Sequence, residues 1–305
     1  MSAPSNQATP VSAVAGGFPA GLRYMLAAAF FFSLMSLQVK LAGQRLHSSE
    51  IVFARSALAL VFTYVMLKRA RIPVWGHRKR SLILRGIFGF VALSCFFFAV
   101  TRLPLADVTV LHFTNPVFTA VLAALILRER VGPREVAGLL ISLGGVVLVA
   151  QPSWVFGQGV RDLDLLAVGA ALCGAFFSAL AYIVVRDLRS TEHHLTVVFY
   201  FPLIATPLSI PAMVPYARWP TLWECVLLLG VAVATQIAQV YLTKGLHTER
   251  AARAMSISYV QILFAATWGI LFFDELPTPL SVAGAALVVS GTALVHWRWR
   301  PAAVS

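Results

Sequence analysis

Ten times along the chain, a run of apolar residues approaches the length needed to cross a bilayer, and the segments between these runs are short. A membrane helix needs about 20 such residues. The runs fall near 22–41, 51–67, 82–101, 105–127, 136–150, 165–185, 196–214, 222–242, 254–273 and 279–295, numbered here as spans 1 to 10. Together they take up most of the 305 residues. The chain is 59% hydrophobic and 12% charged, whereas soluble domains carry about 25% charged residues. A soluble enzyme, a disordered chain and a disulfide scaffold are all excluded. Cys95, Cys173 and Cys225 lie in apolar runs without CxxC spacing, so they suggest neither a zinc site nor a disulfide framework.

The net charge of +12 raises the question of nucleic acid, and the positions of the charges answer it. Of 24 Lys and Arg residues, 17 fall in the tails and in loops 2–3, 4–5, 6–7 and 8–9. Five fall on the other side, and Arg55 and Arg85 lie inside spans. Cytoplasmic loops are enriched in Lys and Arg. Both termini should therefore be cytoplasmic, in a bacterial inner membrane, and no nucleic-acid partner is needed. The first twenty residues lack a basic segment before a short apolar core, so they do not read as a secretory signal.

The two halves repeat. Residues 129–149 match 275–295 without gaps at an offset of 146, including Glu129/Glu275, Gly138/Gly284 and Gly145/Gly291. Phe31-Phe32-Ser33 matches Phe176-Phe177-Ser178 at an offset of 145. Five spans per half force opposite membrane orientations, the inverted-repeat design of secondary transporters. The expected fold is all-α, with ten transmembrane helices in two inverted five-helix repeats. The expected division is a tail at 1–21, repeats at 22–150 and 165–297, a linker at 151–164 and a tail at 298–305.

Several motifs are similar to those of EamA-type members of the drug/metabolite transporter superfamily. They are Phe53-Ala-Arg55, Asn115-Pro116-Val117-Phe118, Leu127-Arg-Glu129-Arg with Gly138, and Glu275-Leu-Pro277-Thr with Gly284. The stretches 105–118 and 151–157 resemble the G subgroup of nucleotide-sugar-transporter-like solute carriers. The stretch 46–55 resembles bacterial S-adenosylmethionine carriers. The resemblance implies a ten-helix bundle that moves small metabolites.

Polar groups inside spans are expensive and usually line cavities or bind other helices. His112 and Asn115 are three apart in span 4, and an offset of 146 carries them to Ser258 and Gln261 in span 9. Residues three apart share a helix face. These four are expected to bind substrate at the bilayer centre, and unperturbed His112 would titrate near ~6.5, leaving proton coupling open. Arg55, with Tyr200 as its counterpart at offset 145, is a candidate cation for an anionic group. Lys40, on a face with Ser33 and Ser36, and the span 8 pair Gln236 and Gln239 complete the substrate-binding candidates. Helix bonding or interface anchoring competes for each of them.

Glu129 and Glu275 are read as helix N-terminal carboxylates ahead of Pro133 and Pro279. Glu224 is read as interfacial. The alanines of span 6 at steps of four are read as packing, and His193-His194 as a weak metal signal. No mid-span carboxylate opposes the cations, which favours an anionic or zwitterionic substrate. Neither GxxxxGK[ST] nor HExxH occurs, so no nucleotide, metal or other cofactor is called for. The leading reading is a secondary transporter with a small-molecule substrate and lipid neighbours. An intramembrane enzyme and a channel are the alternatives. Substrate, direction and oligomeric state are not written in the sequence.

Overall fold

The computed structural model describes residues 19–100, 102, 105–157, 164–273 and 278–296. Glu275 lies outside them. Among the described residues there is no strand. Ten segments are long and apolar enough to cross a membrane.

In chain order the helices are α1 (Ala20–Ala42), α2 (Ser48–Arg69), α3 (Lys79–Val100), α4 (Leu105–His112), α5 (Asn115–Ile126), α6 (Pro133–Ala150) and α7 (Ser153–Phe156). The second half holds α8 (Leu165–Asp187), α9 (His194–Met213), α10 (Leu222–Thr248), α11 (Ala251–Ser258), α12 (Val260–Phe273) and α13 (Pro279–His296). Pro133 and Pro279 are first helical residues, where a missing N–H removes no helical bond. Three prolines, Pro202, Pro207 and Pro211, sit inside α9 without ending it. Buried neighbours can accommodate such losses in a membrane helix.

Spans 4 and 9 are each two helices. In span 4, Pro116 has no N–H to give the carbonyl four residues back, at His112. The chain breaks between α4 and α5, and Thr119 Oγ1 donates to the Asn115 carbonyl at 2.8 Å. Span 9 breaks at Tyr259 without a proline, and Ile262 N bonds back only three residues, to Tyr259 O. The breaks at Phe113 and Tyr259 are 146 residues apart.

The helix contacts follow the repeat. α1 packs on α10 and α3 on α8, which are equivalent pairs across the halves. α2 meets α9 and α6 meets α13, each helix touching its own counterpart. At the α6–α13 contact, a Cβ placed on Gly145 would stand 2.6 Å from the Gly284 carbonyl oxygen, and one on Gly284 the same distance from that of Gly145. Gly138 and Gly291 make the second such contact, at 2.6 and 2.7 Å. Between them Ser142 Oγ donates to the carbonyl of Val288, its own counterpart, at 3.5 Å. Reciprocal contacts of this kind are what a two-fold axis produces. Small residues let the helix backbones approach this closely in a membrane.

Loops 2–3, 4–5, 6–7 and 8–9 share one face, termed the basic face below. The alanine stripe of span 6 (Ala167, Ala171, Ala175, Ala179) is buried, and the neighbouring Gly174 abuts α3 at Ala92 and Cys95. The outer surface carries exposed Val121, Leu125, Leu140, Leu271, Val282 and Val289, as a lipid-facing surface requires.

Candidate functional site

The two helix breaks meet beneath α1. His112 and Asn115 from the first break and Ser258 and Gln261 from the second line one small cavity of about 50 Å³. Its remaining wall comes chiefly from Met25 and Phe32 of α1, Tyr182 of α8, Leu242 of α10 and Met255 of α11. A break exposes polar groups that a continuous helix would hide, so the chain's irregular points are also its polar centre. His112 packs its ring 4.7 Å from that of Phe96. His112 Nδ1, Asn115 Oδ1 and the Tyr259 hydroxyl are buried with no protein partner. Groups of this kind are costly unless something else satisfies them.

Two arginines lie buried inside the spans, both beside the Phe201 ring of α9. Arg55 stands seven residues into α2, about 10 Å along the helix at 1.5 Å per residue. It is 9% exposed. Its Nη1 approaches Met35 Sδ at 3.8 Å, and its guanidinium lies 5.8 Å from the Phe201 ring centre. Arg85 of α3 is 3% exposed. Its guanidinium lies 5.3 Å from the same ring, and its Nη2 donates to Gln239 Oε1 at 3.4 Å. Arg85 extends over Gly89, where a Cβ would stand 2.6 Å from its Nη1 and 2.7 Å from the Phe201 ring. The missing side chain at position 89 makes this geometry possible.

Tyr200 is not Arg55's counterpart. His47 and His193 each cap their helix by accepting the N–H two residues on, at 3.4 and 3.2 Å. That aligns α2 with α9 at an offset of 146, which pairs Arg55 with Phe201. Tyr200 instead lines a separate groove of about 370 Å³ near the basic face, with Trp75, Lys79, Ile83, Leu203 and Ile204. The other sequence candidates also separate. Gln239 faces Arg85, whereas Gln236 accepts from Thr63 Oγ1 at 3.1 Å and ties α10 to α2. Lys40 is exposed in the last turn of α1, away from the cavity lining, and Ser33 accepts a hydrogen bond from Trp268 Nε1 at 3.0 Å.

Two carboxylates tie down helix ends, one of them in the other repeat. Glu224, in the first turn of α10 at the end of its span as expected, is also buried, where it accepts the Thr221 N–H at 2.7 Å and an Arg218 bond at 2.9 Å. Glu129 serves not the helix that follows it but α11 of the other repeat. It accepts the Ala251 N–H and pairs with Arg186 at 2.8 Å. Glu135, which caps α6 through Gly132 N, also pairs with Arg250 and Arg253. These ties join the two repeats at the basic face. Among the described residues no cluster of three His, Cys, Asp or Glu side chains could hold a metal.

Residues 19–151 and 165–297 each match the EamA-like transporter family. The chain belongs to that family. The pseudopaline exporter CntI of Pseudomonas aeruginosa is 35% identical over 272 residues, covering 88% of this chain and 93% of that protein. Human solute carrier family 35 member G1 is 28% identical over 91% of this chain and 80% of its own length. The S-adenosylmethionine uptake transporter of Rickettsia prowazekii is 25% identical over 90% of this chain and 92% of its own. A crystal structure with a TM-score of 0.79 and 17% identity covers 90% of this chain and 95% of its own, and it shares the fold. This EamA protein is a membrane transporter, integral and multi-pass. Within the EamA bundle, buried Arg85 and the Gly89 that makes room for it are features that sequence reasoning passed over as candidates. The signal that could have found them is the Arg-Gly-x-x-Gly run at 85–89.

Proposed function

We propose that the protein is a secondary transporter of a small anionic or zwitterionic metabolite. The repeats at 22–150 and 165–297 rock about the axis between the two helix breaks and expose the cavity alternately to each side. His112, Asn115, Ser258 and Gln261 bind neutral polar groups of the substrate. Arg55 binds its anionic group. The observation that carries this reading is Arg55 itself, a guanidinium buried inside a span against Met35, one turn from the cavity residue Phe32, with no ion-pair carboxylate among the described residues. A charge in that position is expensive and marks a substrate path. His112 faces the same chamber and is the group through which proton coupling would run. The charge asymmetry of the loops supports cytoplasmic termini, and a bacterial inner membrane is the setting proposed with it. Two of the relatives are named for export and for uptake, so the fold serves either direction.

Thermal shift of the purified protein against a metabolite panel selects a ligand, since a ligand that binds the native state raises apparent stability. The labelled ligand should then enter sealed proteoliposomes saturably and exchange with unlabelled ligand inside. Chemical conversion of the ligand, or a steady conductance, would overturn the transporter mechanism. A reporter active only outside the cytoplasm should stay silent at the C-terminus.

A further inference from the structure

Arg85 has the marks of a second anion site. It is almost wholly buried, six residues into a membrane helix. Guanidinium groups stay protonated at neutral pH and offer five donors. One donor reaches Gln239 at the long distance of 3.4 Å, and Nε has no partner. None of the ion pairs among the described residues includes it. A ring face attracts a cation but leaves its N–H donors unmet.

The surroundings link Arg85 to the cavity. Tyr182 lines the cavity on α8, the helix that packs against Arg85's own α3. Gln239 stands one turn from Leu242 on α10, and Met35 one turn from Phe32 on α1. Leu242 and Phe32 both line the cavity, and residues three apart share a helix face. Arg85's partner Gln239 and Arg55's neighbour Met35 thus each stand one turn from a residue of the cavity wall, and the two cations share the Phe201 ring. A buried cation left uncompensated is strongly unfavourable. Two of them beside one ring, with no ion-pair carboxylate among the described residues, call for two negative charges from the ligand.

We infer that Arg85, with Gln239, forms a second anion subsite beside that of Arg55, and that the transported molecule is a dianion with two carboxylates or comparable groups. This rests on the transporter reading above and narrows its substrate class.

The test uses the purified full chain in detergent at constant ionic strength. The probes are α,ω-dicarboxylates from malonate to pimelate, each compared with the monocarboxylate of equal chain length. Binding is read from the concentration dependence of the thermal shift. At least one diacid should bind about tenfold or more tightly than its monoacid, the scale of one added charged hydrogen bond. Arg85→Gln and Arg55→Gln should each erase that preference, and Arg85→Lys should keep part of it. A merely structural Arg85 would move the unliganded melting temperature without changing the diacid-to-monoacid ratio. Equal binding of diacids and monoacids, both lost in Arg55→Gln, would overturn the dianion inference and leave the single-anion reading standing. The dianion inference is overturned equally if Arg85→Gln is folded by size-exclusion profile and keeps the preference. Should no acid of either series bind, both the inference and the anionic substrate class fall.

Discussion

The ring of Phe113 lies 5.9 Å from the ring of Tyr259, centre to centre, and the two residues occupy the same position of the two repeats. A residue touches its own counterpart only where the symmetry axis passes, so the axis runs between these rings. It passes through the two helix breaks and beside the cavity they line. Tyr259 differs from Phe113 by one hydroxyl, which is buried without a protein partner.

That hydroxyl gives the first prediction. Burying an unsatisfied polar group costs about 1–3 kcal/mol. Tyr259→Phe should therefore leave thermal unfolding in detergent unchanged or raise its midpoint. A clear drop would mean that the hydroxyl is satisfied in the folded protein.

The glycine contact of α6 and α13 gives the second. Gly145→Ala places a methyl group against the Gly284 backbone, and overpacking of this kind typically costs about 1–3 kcal/mol. Gly144→Ala, one residue away, meets nothing within 4 Å and should be neutral or slightly stabilising, because alanine favours a helix over glycine. Equal unfolding midpoints for the two variants would contradict the contact.

Glu129 and Arg186 form a buried pair across the repeats. Removing one partner of such a pair strands the other and costs about 3–5 kcal/mol. Glu129→Gln and Arg186→Gln should each destabilise strongly, and the double variant should cost less than their sum. Additive losses in that cycle would show the pair to be uncoupled.

Accessibility gives the fourth. In a background lacking Cys95, Cys173 and Cys225, single cysteines at His112, Asn115, Ser258 and Gln261 should react with a small polar thiol reagent in at least one transport state. A ligand that raises the melting temperature should slow all four reactions. Unreactive positions in every state would remove the cavity from the transport path.

The spans, their number and the repeat are legible in the sequence because burial in lipid writes them as long apolar runs. The four cavity residues are legible for a related reason: a polar pair in mid-span stands out, and the repeat marks it twice. Arg85 is hidden by a boundary. Reading span 3 from residue 82 places it only three residues inside, near the membrane surface, whereas α3 begins at Lys79 and carries Arg85 six residues in. Arg55 is underestimated in the same way, because α2 starts three residues before its apolar run. Tyr200 is misassigned by a single residue of offset, which on a helix turns a side chain by about 100°. The partners of Glu129 and Glu135 lie in the other repeat, and no local pattern records them.

The pairing of Arg55 with Phe201 has one more consequence. The scaffold glycines are the same in both halves, but the cation of one half faces an aromatic ring in the other. At the offset of 146, Arg85 of α3 falls on buried Val231 of α10. Duplication thus doubled the framework and left the charge on one side. A ligand held by that charge has a single allowed orientation in the chamber. On the alternating-access reading proposed above, it would enter and leave with the same end toward the first repeat, so the cargo would not tumble as the two halves exchange roles.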